Sequence, residues 1–519
     1  MERPPAAAGP PAELLSARFD RSRYSGKGEK RLATDAPTSV GQAAMGLGLA
    51  GLKVRGSAVR EYPAERSMFQ IVGGTKRDEI KGEPNTSNEC LKTKNVLVGV
   101  ANLEYKLNSA LNGVDGCQMV ARDKNGGVQK TLYSRLNAPV SNGKNIALTI
   151  DRNIQEYAFD ALKAAVGRFE ARYGSMVVLN PATGDILAMA SYPSRSLYDP
   201  VRPECVEAQR RFEEETAKAL AKAKARGRTP RMPSFPAACA DTAPRAAAVG
   251  YEPGSIIKPI WVAKAIDMGK VAPTTRIDLS PYRFGDYVRS SKAGSRTVTD
   301  VIVWSDNVGA MRIADMIPDP GFLEYQKELG FGAAPKSGAS GEFAGILHTG
   351  KTVGGKRGNV GMGYSISLSL LQITRAYTAI ANDGILAEVS LIKRPEGMAP
   401  AGKRVFKAET ARKMREILRQ TVERGTAMRA QIDGVQTAGK TGTATARADY
   451  GAGYKENGLN NASFVGMFPA SKPKYLIGVM IAEPNPSMAR MGGAVAAPVM
   501  KDMGDFLVNY DLRSAGPLP

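Results

Sequence analysis

With 519 residues, 43% of them hydrophobic, the chain can bury a large core and has room for two or more domains. Its 71 lysines and arginines against 50 acidic residues leave a net charge of +21, which suits an anionic surface such as membrane lipid or cell-wall polymer. Nucleic acid is the rival partner, and the sequence argues against it: there is no zinc-finger spacing, no aromatic RNA-binding motif and only 7% aromatic residues for stacking.

Residues 1–56 are rich in Pro, Ala, Gly and basic residues, with Pro4-Pro5 and Pro10-Pro11, and read as a flexible basic tail. The only apolar patch there, Ala43 to Leu52, is mostly Gly and Ala and falls well short of the ~20 residues that span a bilayer. It does not read as a secretory signal either, because a long Pro-rich stretch of mixed charge precedes it. Residues 57–145 read as a smaller N-terminal pedestal or linker region. Within it, Phe69-Gln70-Ile71-Val72 ahead of Gly73-Gly74 is expected to be a short strand. Asn95 to Gly113, with Val96, Val98, Val100, Leu103, Leu107 and Leu111 at mostly helical spacings, is expected to be a helix stopped by Asn112-Gly113.

The main domain is expected over 146–519. Leu148-Thr149-Ile150-Asp151 reads as a short strand running into a helix, with Asp151 as N-cap and Ile154, Tyr157, Ala158, Ala161, Leu162 and Ala165 on its inner face. A hairpin follows, with strands at Ser175 to Leu179 and Ile186 to Ser191 and turn chemistry at Asn180 to Asp185. Then comes a charged insertion at 203–236, where Glu213, Glu214, Glu215, Lys218, Lys222, Lys224 and Arg226 give a helix with i,i+4 pairing before a Pro-rich exit. It reads as a solvated surface insertion, with a docking arm beside an active-site mouth as the functional alternative.

Tyr251 to Pro259 puts a small nucleophile and an amine one helical turn apart. Residues three apart on a helix are neighbours, so the Lys258 amine is expected to reach the Ser255 hydroxyl, which alone is a poor nucleophile. Pro253-Gly254 supplies the turn that opens the helix, and a start at Ser255 places Pro259 in the first turn, where a missing N–H costs least. Ile260, Trp261, Val262, Ala263, Ala265 and Ile266 are apolar nearly all round, as befits a buried central helix.

Downstream lies Ser305-Asp306-Asn307, then Gly361 to Ser367 leading into an apolar helix from Leu370 to Asn382, ended by Asp383-Gly384. Glu409 to Arg424 reads as an amphipathic helix ended by Gly425-Thr426-Ala427. Lys440-Thr441-Gly442-Thr443 is expected to begin a strand, followed by strands at Ser463 to Phe468 and Leu476 to Ala482, the three forming an antiparallel meander. Val495 to Tyr510 closes the chain as a helix. The order of elements gives an α+β fold, an antiparallel sheet covered by helices on both faces.

Two further residue types limit the chemistry. The single histidine, His348, sits in a Gly-rich loop far from any nucleophile motif and supports no Ser-His-Asp triad. Cys90, Cys117, Cys205 and Cys239 contain no C-x-x-C pair, which argues against zinc, an iron–sulfur cluster or a thioredoxin-type centre. Pairings Cys90–Cys117 or Cys205–Cys239 and four free thiols both remain open.

In order, Ser255-x-x-Lys258, Ser305-Asp306-Asn307 and Lys440-Thr441-Gly442 complete the S-x-x-K, S-D-N, K-T-G set of penicillin-binding proteins and class A β-lactamases. Thr149-Ile150-Asp151 to Gln155, Asn180 to Ser191 and Gly361 to Ser367 resemble the transpeptidase domain, apart from Leu370, where the family usually has proline. Arg60 to Pro63 and Leu103 to Gly116 resemble the segments that precede that domain. The chain thus resembles the class B penicillin-binding proteins, serine D,D-transpeptidases that cross-link peptidoglycan stem peptides and are acylated by β-lactams, without metal or cofactor.

The resemblance implies a role for each residue. Ser255 is the nucleophile and Lys258, desolvated and near the second cation Lys440, its base. Ser305 relays a proton to the leaving amine, Asn307 bonds the substrate amide, and Lys440 stabilises developing charge and holds the relay. Thr441 and Thr443 bind the substrate carboxylate, Gly442 lets the strand approach the substrate, and the Ser255 and Thr443 N–H groups form the oxyanion hole. Implied partners are stem peptides, β-lactams and membrane proteins of cell division or elongation, including a separate glycosyltransferase. No glycosyltransferase motif precedes Leu148. The implied location is the outer face of the bacterial cell membrane. The anchor is expected to be a membrane helix of the native protein that this sequence lacks, with electrostatic tethering by the basic tail as the alternative. Two rivals share the motifs or the fold: a serine β-lactamase, and a non-catalytic β-lactam sensor or scaffold.

Overall fold

A computed structural model of the protein describes residues 60–62, 64–80, 94–113, 120–122, 128–131, 141–194, 243–284, 287–318, 321–347, 356–446 and 459–514, with scattered positions in 42–46 and 207–222. The chain divides into two compact units, Met1–Pro63, of which little is described, and Ala64–Pro519, which carries everything below. The four cysteines and His348 lie outside the described residues. The described positions of the charged insertion are helical, and Arg210 and Arg211 bridge to Glu214 and Glu207 at i,i+4 spacing.

The second unit opens with helix α1 (Glu65–Val72), where the sequence pattern pointed to a strand. Phe69, Gln70 and Ile71 are all buried, which an alternating strand with one exposed face would not allow. Gly73 ends the helix at φ +84, and a Cβ there would sit 1.9 Å from the Ala101 carbonyl oxygen. The expected helix over Asn95 to Gly113 is also corrected. Strand β1 (Thr75–Ile80) pairs antiparallel with β2 (Lys94–Gly99), and only then come two short helices, α2 (Asn102–Lys106) and α3 (Asn108–Leu111). Val96 and Val98 follow the strand period and the later leucines the helical one, so one window mixed two periods.

Helix α4 (Arg152–Arg168) begins as expected, with the Asp151 carboxylate accepting from the Asn153 and Ile154 N–H groups. Strands β3 (Tyr173–Leu179) and β4 (Ile186–Tyr192) form the hairpin. Three central helices follow, α5 (Lys258–Asp267), α6 (Val298–Val303) and α7 (Asn307–Asp315), then α8 (Leu370–Ala381) and α9 (Ala408–Arg424). Leu370 does not impair the start of α8, because Ser369 and Gln372 close a capping box there. The last elements are β5 (Ala438–Thr445), β6 (Asn460–Phe468), β7 (Tyr475–Ala482) and α10 (Gly492–Ser514).

The five-stranded sheet runs β5-β6-β7-β3-β4, antiparallel throughout, with β5 at its edge. Its strands are apolar on both faces because both are covered. Met176, Val178, Phe464, Ile477 and Val479 point into a core shared with α4 and α10. Their alternates Val177, Leu179, Val465, Leu476 and Met480 point into a larger core built around α5 and α8. This is the α+β arrangement read from the sequence. It presents the start of α5 and the edge strand β5 to one another.

Candidate active site

Ser255 sits in a 3-10 turn, Gly254–Ile257, and the α-helix begins only at Lys258. The expected helix start at Ser255 is therefore corrected by one turn. Three features fix this turn. Gly254 has φ +57, a left-handed conformation in which a Cβ would lie 2.7 Å from the Thr443 carbonyl oxygen. The Gly254 N–H donates to the Gly363 carbonyl at 3.1 Å, and the buried Tyr377 hydroxyl donates to the Ile256 carbonyl. Ser255 is half-buried and lines a cleft of about 670 Å³, together with Ser305, Asn307, Thr441 and Thr443.

Lys258 is fully buried behind this turn. Its amine donates to the Ser305 carbonyl at 2.7 Å, to Asn307 Oδ1 at 2.7 Å and, at 3.3 Å, to Ser305 Oγ. Among the described residues no hydrogen bond joins it to Ser255; the amine is turned toward the S-D-N loop. The loop holds its shape at some cost, since Ser305 has φ +57, uncommon for a residue with a Cβ. Asp306 secures it by capping α7 through the Gly309 N–H and by accepting from the Ser291 hydroxyl at 2.6 Å.

Lys440 is likewise fully buried and is the third residue of β5. Its amine donates to the Thr441 carbonyl at 3.1 Å and to Thr441 Oγ1 at 3.4 Å. Among the described residues no hydrogen bond joins it to Ser305. Burial pushes the Lys440 ammonium down to about 7. Burial, and after it the charge of Lys440, holds Lys258 well below the usual lysine range. Both shifts favour a neutral amine, and that of Lys258 stands behind the turn that carries Ser255.

Packing within the fold gives Gly442 a reason to be glycine. A Cβ there would meet Ser463 Oγ at 2.4 Å, Ile256 Cγ2 at 2.9 Å and the Pro253 carbonyl oxygen at 3.0 Å. The missing side chain lets β5 press against the turn that carries Ser255. Thr441 and Thr443 line the cleft. Thr441 shares a hydroxyl–hydroxyl bond of 2.9 Å with Thr426, and Thr443 Oγ1 accepts from the Gly492 N–H, at the start of α10, at 3.0 Å.

The cleft therefore assembles every sequence-predicted residue except the buried amines, which stand behind its wall, and Gly442. It also contains residues that the sequence reading passed over: Arg289, Trp304, Thr426, Arg429 and the Gly492–Gly493 pair. Thr426 had been visible only as a helix stop. No carboxylate lines the cleft among the described residues. Glu342 is occupied elsewhere, accepting from the Lys336 N–H, the Ser337 N–H and the Ser337 hydroxyl at 2.6–2.9 Å.

Comparison with known proteins adds an independent line. A family model described as the penicillin-binding protein transpeptidase domain matches residues 174–505, and one described as the penicillin-binding protein dimerisation domain matches residues 38–148. The chain is 33% identical over 91% of its length to a Neisseria meningitidis protein named probable peptidoglycan D,D-transpeptidase PenA, covering 72% of that protein. It is 27% identical, over 87% of its length and 67% of the relative, to the Escherichia coli peptidoglycan D,D-transpeptidase FtsI. Among solved structures, the transpeptidase domain of penicillin-binding protein 3 from Burkholderia pseudomallei superposes with a TM-score of 0.57 at 31% identity, covering 70% of this chain and 96% of that one.

Proposed function

The chain belongs to the class B penicillin-binding proteins, and we propose that it is a serine-type peptidoglycan D,D-transpeptidase working through an acyl-enzyme on Ser255, with 146–519 as its transpeptidase domain. The observation that carries the chemistry is the buried Lys258 amine, hydrogen-bonded to Ser305 and Asn307 directly behind the turn that exposes Ser255.

In the first half-reaction, Lys258 takes the Ser255 proton as Oγ attacks the carbonyl of the penultimate residue of a stem peptide. The developing oxyanion receives N–H groups from Ser255 and Thr443. β5 is an edge strand, so alternate N–H groups along it point away from the sheet and are open to substrate. Thr441 and Thr443 hold the terminal carboxylate of the donor. Asn307 bonds the donor amide. The 3.3 Å contact from Lys258 to Ser305 Oγ offers the route by which the proton passes to the leaving amine. In the second half-reaction an amine of a neighbouring stem peptide attacks the ester, Ser255 Oγ leaves and the proton returns to it. β-Lactams acylate the same serine.

A serine β-lactamase would need a base to direct water onto the ester. The described lining offers no carboxylate and Glu342 is committed to its own loop, which supports a long-lived adduct. Intact-protein mass spectrometry after mixing with benzylpenicillin tests this. The expected result is one adduct on the peptide containing Ser255 that persists for many minutes. Rapid return to the unmodified mass with repeated turnover of the drug would overturn the transpeptidase reading.

We further infer that the active site faces the extracytoplasmic side of the cell membrane, where stem peptides lie, and that the separate glycosyltransferase of cell-wall synthesis is a partner. No helix among the described residues is long and apolar enough to cross a membrane.

A further inference from the structure

The cleft carries more positive charge than the reaction uses. Arg289 and Arg429 line it from two different elements, Arg289 from the strand Tyr287–Arg289 and Arg429 from the 3-10 turn Met428–Ala430. Neither forms an ion pair among the described residues, whereas nearby Arg424 is bound to Asp300 at 2.9 Å. An arginine left without a carboxylate, beside a cleft with none in its described lining, is a ready acceptor for an anionic ligand, which its planar fork can grip with two hydrogen bonds.

The position of Arg429 says which anion. The turn that carries it packs on α10 and follows Thr426, whose hydroxyl bonds Thr441. The same side of the cleft presents Thr443 and the first residues of α10, Gly492 and Gly493, where the positive end of a long helix adds to the field. The polar groups on that side suit a carboxylate, with Met428 and Met491 beside them. In the first half-reaction it is the carboxylate of the departing D-amino acid, attached to the carbon that bears the leaving nitrogen. The acceptor nitrogen of the second half-reaction must approach the same acyl carbon from the place the leaving nitrogen vacated. A carboxylate on the carbon beside the acceptor nitrogen then falls where the first carboxylate lay.

We propose that Arg429 is a specificity-determining residue that selects an acceptor amine carrying its own α-carboxylate, such as the amino-acid end of a diamino dicarboxylic acid, over an amine without one. The proposal rests on the acyl-enzyme reading above. The step it governs is balanced within the site. The acceptor nitrogen bonds to the acyl carbon, the ester bond to Ser255 Oγ breaks, and the proton lost by the amine returns to Oγ through Lys258.

The experiment uses the full chain and an N-acyl-D-alanyl thioester donor whose leaving thiol is uncharged, so that acylation does not depend on the carboxylate site. Acyl-enzyme on Ser255 is followed by mass spectrometry, and product partition is measured with D-alanine against D-alaninamide as competing acceptors. Wild type is expected to favour D-alanine at least tenfold. Arg429→Gln should acylate normally and lose most of that preference, and Arg429→Lys should regain part of it. Equal use of the two acceptors by wild type, or an unchanged ratio in Arg429→Gln, would overturn the proposal while leaving the acyl-enzyme reading intact. Failure of wild type to form any adduct on Ser255 would overturn that reading and this proposal with it.

Discussion

The cleft has two walls, and each holds one buried lysine, yet the two amines are wired differently. On the helical wall Lys258 makes two bonds of 2.7 Å and one of 3.3 Å to the S-D-N loop, all to residues far along the chain. On the sheet wall Lys440 makes bonds of 3.1 and 3.4 Å, both to its own neighbour Thr441. The first amine is held in a fixed network that can pass a proton. The second makes no bond to the S-D-N loop among the described residues, and its charge, when present, depresses the first. On the proposed mechanism one wall moves protons and the other positions charge. A substitution should therefore be read by which of the two it disturbs.

The largest effect is expected on the proton-moving wall. Lys258→Arg keeps a cation but offers no base, because guanidinium does not give up its proton at accessible pH. Loss of a positioned base typically costs about 10²–10⁴-fold, so acylation by a fluorescent penicillin should fall by about a thousandfold. Near-normal labelling would move the base to another group. Gly442→Ala tests the contact between the walls. Its Cβ would meet Ser463 Oγ at 2.4 Å and the turn before Ser255 at 2.9–3.0 Å. Such overpacking costs roughly 1–3 kcal/mol, and a displaced nucleophile can lose about a hundredfold in rate. Thermal denaturation and acylation should both suffer, and Ser463→Gly in the same chain should restore part of each. If the glycine mattered only for substrate approach, stability would not change.

A smaller effect is expected on the charge-positioning wall. Thr426→Val removes the 2.9 Å partner of the Thr441 hydroxyl. One neutral hydrogen bond is worth about 0.5–1.5 kcal/mol net, so kcat/KM for a carboxylate-bearing donor should fall by up to about tenfold. A neutral-ended donor should be affected less, and an equal loss with both would mean that Thr426 serves the fold and not the carboxylate.

Thr426 also marks the limit of what the sequence discloses. Ser255, Lys258, Ser305, Asn307 and Lys440 could be read because nucleophile, base and relay chemistry restricts residue types at fixed short spacings. The sheet could be read because strands covered on both faces, such as Tyr475–Ala482, are unbroken apolar runs. Thr426 with Thr441, and Gly492 with Thr443, are contacts across 15 and 49 residues that leave no local pattern. The partners of Lys258 were misjudged for a related reason. Spacing three residues apart puts Ser255 and Lys258 on one face, but the amine is held by Ser305 and Asn307, partners 47 and 49 residues away that no local pattern discloses. Phe69 to Val72 failed differently, since a short, mostly apolar run before a glycine fits a strand or a buried helix equally well.

The smallest expected effect concerns the pH at which acylation switches on, and it separates the two walls most directly. Burial is the main cause of the depressed Lys258 amine, and no surface substitution changes that. The Lys440 charge comes next, then Asp306, which acts in the opposite sense, then Arg289. Acylation needs the neutral amine, so its rate rises as pH passes upward through the Lys258 titration. Removing a nearby cation makes the ammonium less unfavourable, Lys258 then keeps its proton to higher pH, and the rising limb moves to the alkaline side. Arg289→Gln should move it by a small amount and Lys440→Met by more, whatever each does to the height of the plateau. Asp306→Asn, which keeps the helix cap, should move the limb the other way, because it removes a charge that favours the ammonium. The profile of second-order acylation by a chromogenic β-lactam measures all three. Three superimposable limbs would mean that a group other than Lys258 governs the switch, and the division of labour between the walls would fail with it.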